Sequence, residues 1–125
     1  MSTKAISHDA VLLADWQGKQ AALAGILANG SYFNAQEHSP DVVATHDALD
    51  LAVTKAVAAT SAGALAQAWV AWWYTHQPND ELCRMIQLAD FDGLAVIAEA
   101  QEMDWEDYVM FSLIRSLRGM AETAA

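Results

Sequence analysis

The run Ala62 to His76, Ala-Gly-Ala-Leu-Ala-Gln-Ala-Trp-Val-Ala-Trp-Trp-Tyr-Thr-His, constrains the fold more than any other stretch. Apart from Gln67, Thr75 and His76 it has no polar side chain, so no face of a helix made from it is reserved for water. A helix that is apolar all round belongs in a core or at an interface. The run is too short to cross a bilayer, which takes about 20 consecutive apolar residues. With one residue every ~100°, Leu65, Trp69, Trp72 and His76 share a face, and Ala62, Ala66, Val70 and Trp73 widen it. The three Trp and the Tyr each offer about 150–250 Å² for burial. Two readings stay open: a central core helix, or a cluster part of which binds a partner or a second copy.

The remaining chain is also built for helices. It is 125 residues long, 54% hydrophobic, rich in alanine, and has two prolines and six glycines. Alanine is the strongest helix former and proline the strongest breaker. No alternating apolar–polar stretch of useful length marks a strand. The expectation is an all-α fold, a compact bundle of five or six helices around the aromatic central helix, as a single domain over 1–125 with frayed tails at 1–6 and 120–125. The single cysteine, Cys83, excludes an intrachain disulfide and fits a reducing cytoplasm. No long apolar run follows Lys4 and no cleavage-site pattern is present, so no signal peptide or membrane span is expected.

Helix punctuation divides the chain. Ser7 is the expected N-cap of a first helix ending near Ala28, with Leu12, Leu13, Trp16, Leu23, Ile26 and Leu27 as its stripe. Asn29-Gly30 stops it. Residues 29–40 read as a loop whose Tyr32 and Phe33 tuck back onto the core. Ser39-Pro40 opens a second helix, with Val42, His46, Leu49, Val53, Ala56 and Val57 as its apolar stripe. Thr60 or Ser61 caps the aromatic helix, and Gln77-Pro78-Asn79 ends it. Asn79 or Asp80 caps a fourth helix, with Leu82, Met85, Ile86 and Ala89 inward. Asp90-Phe91-Asp92-Gly93 reads either as a turn or as part of a longer helix. From Asp92 onward, Leu94, Ile97, Ala98, Gln101, Trp105 and Tyr108 project to one side, and Asp92, Glu99, Glu102 and Glu106 to the other. A break near Asp104 is favoured, with Arg115, Arg118 and Gly119 closing the last helix.

Charge is the second constraint. The net charge is −10, placed unevenly: −3 over residues 1–79, −8 over 80–107 and +1 over 108–125. Phosphate repels such a surface, so direct nucleic-acid binding and anionic membranes are disfavoured. A basic protein partner fits the sign.

Tests for chemistry find little. His8-Asp9 and His46-Asp47 lack the further ligands a metal phosphohydrolase needs. No Glu-x-x-His pair or zinc spacing is present. His46 reads as a hydrogen-bonded histidine at the core edge. Cys83 has no activating base and reads as a small apolar residue. No glycine loop for phosphate appears, and no cofactor or metal is expected.

The segments Asp9-Ala10-Val11-Leu12-Leu13, Asp47-Ala48-Leu49-Asp50 and Ala58-Ala59-Thr60-Ser61-Ala62-Gly63-Ala64-Leu65-Ala66 resemble a group of small uncharacterised helical proteins of phage and prophage regions in proteobacteria. These similarly join a long first helix and a second one to a third through a Thr-x-Ala-x-x-Leu-Ala hinge. The group usually carries proline where this chain has Ser61, and is less tryptophan-rich in the third helix. The resemblance spans about the first 75 residues. It implies a phage-type setting and a bacterial host cytoplasm, and supplies no activity or site residue.

The acidic stretch is the best functional candidate. Its two readings are a solvated helix face and a docking surface for a basic protein. On one helix, Glu99, Glu102 and Glu106 would recur about 5–6 Å apart, close to a phosphate repeat. The expectation is a non-enzymatic inhibitor or regulator of a host nucleic-acid-handling complex, anti-CRISPR-like and a nucleic-acid mimic. Asp92, Glu99, Glu102 and Glu106 would steer the partner, and exposed members of the Trp69, Trp73 and Trp105 set would anchor it. The alternative is a structural or assembly component of a phage, self-associating through the aromatic helix, which makes a homodimer the competing partner.

Overall fold

The structure, a computed structural model, describes residues 3–76 and 80–124, with side chains from Asp9 to His76 and from Asp80 to Thr123. Among the described residues it is all-helical, with seven helices. These are α1 (Thr3–Ala28), α2 (Tyr32–His38), α3 (Pro40–Lys55), α4 (Ser61–His76), α5 (Glu81–Gln87), α6 (Phe91–Glu99) and α7 (Trp105–Ala124). Packing divides the chain into two units, Met1–Ala59 and Thr60–Ala125.

In the first unit α1 lies along α3, and α2 packs on both. Ile26, Ala35 and Val43 bring the three helices into one apolar cluster. A Cβ on Gly18 would stand 3.0 Å from Leu49 Cδ1, so the missing side chain lets α1 approach α3 closely. Gly30 takes φ +88°, a left-handed conformation that favours glycine. The chain thereby turns into α2, where the Ser31 hydroxyl accepts the Asn34 N–H at 3.1 Å. The first helix therefore reaches back beyond Ser7, which lies inside it rather than capping it. The expected loop over 29–40 contains α2, and Phe33 stands 74% exposed instead of tucking inward. Seven residues are too few to show helical periodicity. Ser39 and Pro40 open α3 as expected, without a side-chain cap bond. α3 ends at Lys55, which leaves Val57 exposed beyond the apolar stripe.

In the second unit α4 lies along α7, with α5 and α6 packed beside them. The Thr60 hydroxyl accepts the Gly63 N–H at 3.2 Å and starts α4. Trp72 is fully buried. Its ring lies 6.2 Å from Phe111, which stacks on Phe91 at 5.1 Å. Leu94, Ile86 and Ile114 are fully buried as well. The Gln77-Pro78-Asn79 stop falls outside the described residues.

Asp80 and Asp90 cap α5 and α6. Both helices then end on a left-handed residue that is not glycine: Ala89 at φ 54° and Gln101 at φ 59°. At each end the backbone closes by two bonds, Ala89 N–H to Ile86 and Asp90 N–H to Met85, then Gln101 N–H to Ala98 and Glu102 N–H to Ile97. Glycine is the usual occupant of this position because a Cβ there is strained. Ala89→Gly is therefore expected to stabilise the chain by about 0.5–1 kcal/mol in urea denaturation. A loss of stability would show that the alanine methyl makes a contact worth more than the strain.

The last helix runs on through Gly119 to Ala124, past the expected stop at Arg118-Gly119. Arg118 explains part of this. Its guanidinium lies 4.1 Å from the Phe91 ring centroid and pairs with Glu122 at 3.9 Å, which holds the turn against α6.

Candidate functional site

Chemistry-bearing side chains converge at the junction of α4, α5 and α7. His76 ends α4, Asp80 caps α5, and Asp107 lies in the first turn of α7. Trp72 Nε1 donates to Asp107 Oδ1 at 2.9 Å. His76 Nδ1 faces the two Asp107 oxygens at 3.0 and 3.1 Å, and its Nε2 faces Asp80 Oδ1 at 3.1 Å. The same Asp80 oxygen accepts the Cys83 N–H at 2.8 Å.

Burial works against a charged imidazole, but the bonds to Asp107 and Asp80 outweigh it, and the His76 pKa is raised. Asp80 moves the other way. The Cys83 N–H and His76 stabilise its carboxylate against a small burial cost, and its pKa is lowered. Burial, with Asp80 nearby, raises the Cys83 thiol. A buried thiol pushed away from thiolate is a poor nucleophile, consistent with its reading as a small apolar residue.

Beside this cluster lies a groove of about 470 Å³, lined by His76 and the carboxylates of Asp80, Glu81, Glu102, Asp104 and Asp107. Among the described residues no set of three or more His, Cys, Asp or Glu is arranged to hold a metal ion. A groove of this lining offers acceptors to an ammonium or guanidinium group.

The acids expected to form the face are all exposed, but not as one ladder. Asp92 lies in the first turn of α6, Glu99 ends α6, Glu102 lies in the connection and Glu106 is in the first turn of α7. The left-handed Gln101 breaks the helix between them, so Glu99, Glu102 and Glu106 do not recur on successive turns of one helix. Of the aromatic anchors, Trp69 is buried and stacks on Trp72 at 6.0 Å, which removes it from any accessible surface. Trp73 is half-buried beside Tyr74. Trp105 is 77% exposed, between Asp104 and Glu106.

A second cluster lies in the first unit. The Tyr32 hydroxyl donates to Asp47, and His46 Nδ1 lies 3.1 Å from that hydroxyl and 3.0 Å from Asp47 Oδ1. A modest burial cost is outweighed by these two partners, and the Asp47 pKa is lowered. His46 is the hydrogen-bonded core-edge histidine that its place on the stripe suggests. Asp9 accepts the Ala59 N–H at 2.9 Å, a structural use of the first His-Asp pair.

The His76–Asp107 pairing was not visible in the sequence, because 31 positions separate the partners. The available signal was spacing alone: Trp72, His76 and Asp80 recur every four residues. Comparison of the chain with family models, with curated proteins and with solved structures gave no match.

Proposed function

We propose that the chain is a small acidic, non-enzymatic protein-binding module. Its role is that of a phage-type inhibitor or regulator of a host nucleic-acid-handling complex. The observation that carries this reading is Trp105, 77% exposed at the head of α7 among Glu102, Asp104 and Glu106. Tryptophan and arginine dominate the energetics of protein interfaces, and a guanidinium binds both an indole face and a carboxylate. The adjoining groove supplies further acceptors for a basic side chain. Glu99 and Asp92 extend the negative field that would speed the encounter. The aromatic helix serves in this reading as the rigid centre behind the surface, not as the surface itself. The phage setting rests on the resemblance of segments in α1 and α3 and of the Thr60 hinge. The sign of the charge favours a partner that itself handles nucleic acid.

Affinity capture from a bacterial host lysate, washed at low and at high salt, is expected to recover a stoichiometric basic protein that high salt releases. Reversing Glu99, Glu102 and Glu106 to Lys takes the net charge from −10 to −4. All three side chains are exposed, so the fold should survive, as circular dichroism would show. Capture of that protein should fall at least about tenfold, since several rim charges act together on association. Undiminished capture by the folded triple variant would sink the proposal.

A further inference from the structure

Both nitrogens of the His76 ring face carboxylates. Nδ1 lies 3.0 and 3.1 Å from the Asp107 oxygens, and Nε2 lies 3.1 and 3.4 Å from those of Asp80. A neutral imidazole has a single N–H and a bare lone pair, and only the imidazolium donates from both nitrogens. The geometry therefore fits the charged ring. A neutral ring would set its lone pair against one of the two carboxylates, and these are not equivalent. Asp107 is buried and also accepts the Trp72 N–H, so it is fixed in place. The Asp80 side chain is half-exposed and stands on the wall of the acidic groove. A ring that loses its proton keeps Nδ1–H on Asp107 and turns the Nε2 lone pair towards Asp80. Nε2 and the Asp80 carboxylate then form two adjacent acceptors that lack a donor between them.

We infer that the His76 proton and an arginine side chain of the basic partner compete for Asp80, so that the groove takes the guanidinium when His76 is neutral and is closed to it when His76 is charged. This rests on the reading of the chain as a binder of basic proteins, and names the side chain that is held and the pH range in which it is held. The lining fits that occupant. Asp80 and Glu81 stand at the start of α5, Glu102 and Asp104 lie in the connection into α7, and α6 adds only Ile97. Among the described residues no Lys or Arg lines the groove to oppose an entering cation. A planar guanidinium presents a fork of N–H donors and reaches both acceptors at once. On the protonated ring, Nε2–H already holds the Asp80 carboxylate, and the positive ring faces the newcomer. Burial disfavours that charge, but the bonds to Asp107 and Asp80 outweigh it and the His76 pKa is raised. Mildly acidic solution therefore closes the groove, and alkaline solution opens it.

Binding of acetyl-argininamide to the full chain, followed by NMR through the Cys83 amide that bonds Asp80, tests this. A pH of about 5.5 lies a full unit below the ordinary histidine pKa and further below a raised one, so competition weakens the probe there by at least about tenfold relative to about pH 8.5. His76→Gln has no titrating ring and should bind the probe equally at both values, although the other histidines remain. The parent chain also answers alone, should that variant unfold. By reciprocity, the probe at about ten times its Kd lowers the titration midpoint of the His76 ring protons by about one pH unit. A smaller loss of affinity at the lower pH, an equal loss in folded His76→Gln, or a midpoint that the probe leaves in place overturns the inference. So does a probe that binds at neither pH, and the salt-released capture of a basic protein would then still stand on the exposed acids and Trp105. A capture that yields no basic protein, beside a probe that competes as stated, removes the partner instead and leaves the proton-linked groove.

Discussion

Asp50→Ala is expected to destabilise the first unit by about 3–5 kcal/mol, the usual cost of removing one partner of a buried ion pair. Lys19 Nζ and Asp50 Oδ1 lie 3.7 Å apart, with side chains only 5% and 7% exposed. Burial lowers the Lys19 pKa, and Asp50 is what opposes that fall. Without the carboxylate the ammonium is left with the Trp16 ring, 5.3 Å from its nitrogen, and the Gln20 side-chain oxygen at 3.4 Å. Neither neutralises a charge. The double variant Lys19→Met, Asp50→Leu removes both charges and keeps most of the volume. It is expected to lie within about 2 kcal/mol of the parent on either side, because burying a pair costs nearly what its attraction returns. Urea denaturation of the three proteins checks both statements. An Asp50→Ala chain as stable as the parent would mean that Lys19 leaves the interior at little cost.

The same pair shows where the sequence is mute. Lys19 falls among apolar residues of α1 at a position that a helical projection leaves ambiguous, and Asp50 looks like one more surface acid. Only the pairing of α1 with α3 puts them together. Helix ends were legible where standard punctuation stands, at Asn29-Gly30 and Ser39-Pro40, and to within one residue at Thr60-Ser61 and Asn79-Asp80, where the structure selects Thr60 and Asp80. They were illegible at Ala89 and Gln101, where tertiary packing holds ordinary residues in a glycine conformation. The break near Asp104 was legible, and α7 starts at Trp105, but the earlier end of α6 before Gln101 was not, and that made Glu99, Glu102 and Glu106 look like one ladder. The acids themselves were found correctly as exposed charges, because composition alone selects them. The tryptophans were not separable in this way. Trp69 and Trp105 are chemically alike, and what distinguishes them is burial, Trp69 being stacked on Trp72 in the core and Trp105 standing exposed at the head of α7.

Asp107→Ala is expected to cost the second unit about 3–5 kcal/mol, by stranding the fully buried Trp72 N–H and by removing a charge-assisted bond to His76. The pH dependence separates these two losses. His76 has a raised pKa in the folded chain, since the carboxylates of Asp107 and Asp80 outweigh the burial that opposes its charge. The folded state therefore holds the proton more tightly than the unfolded one. The resulting stability is fully present below the unfolded histidine pKa of about 6.5. It declines as pH rises through the folded value, because over that window the native chain binds more protons than the unfolded chain. Unfolding free energies measured from pH 5 to 9, a span of about two units on either side of neutrality, should fall on the alkaline side and then level. In Asp107→Asn the Trp72 bond survives through the amide oxygen while the charge on His76 loses its main partner. That variant should keep much of its stability at high pH and show a shallower decline, and the His76 ring protons should titrate at lower pH in NMR. In Asp107→Ala both the level and the slope should drop. A decline as steep in Asp107→Asn as in the parent would assign the proton to Asp80 alone, which bonds the other ring nitrogen, Nε2, at 3.1 Å.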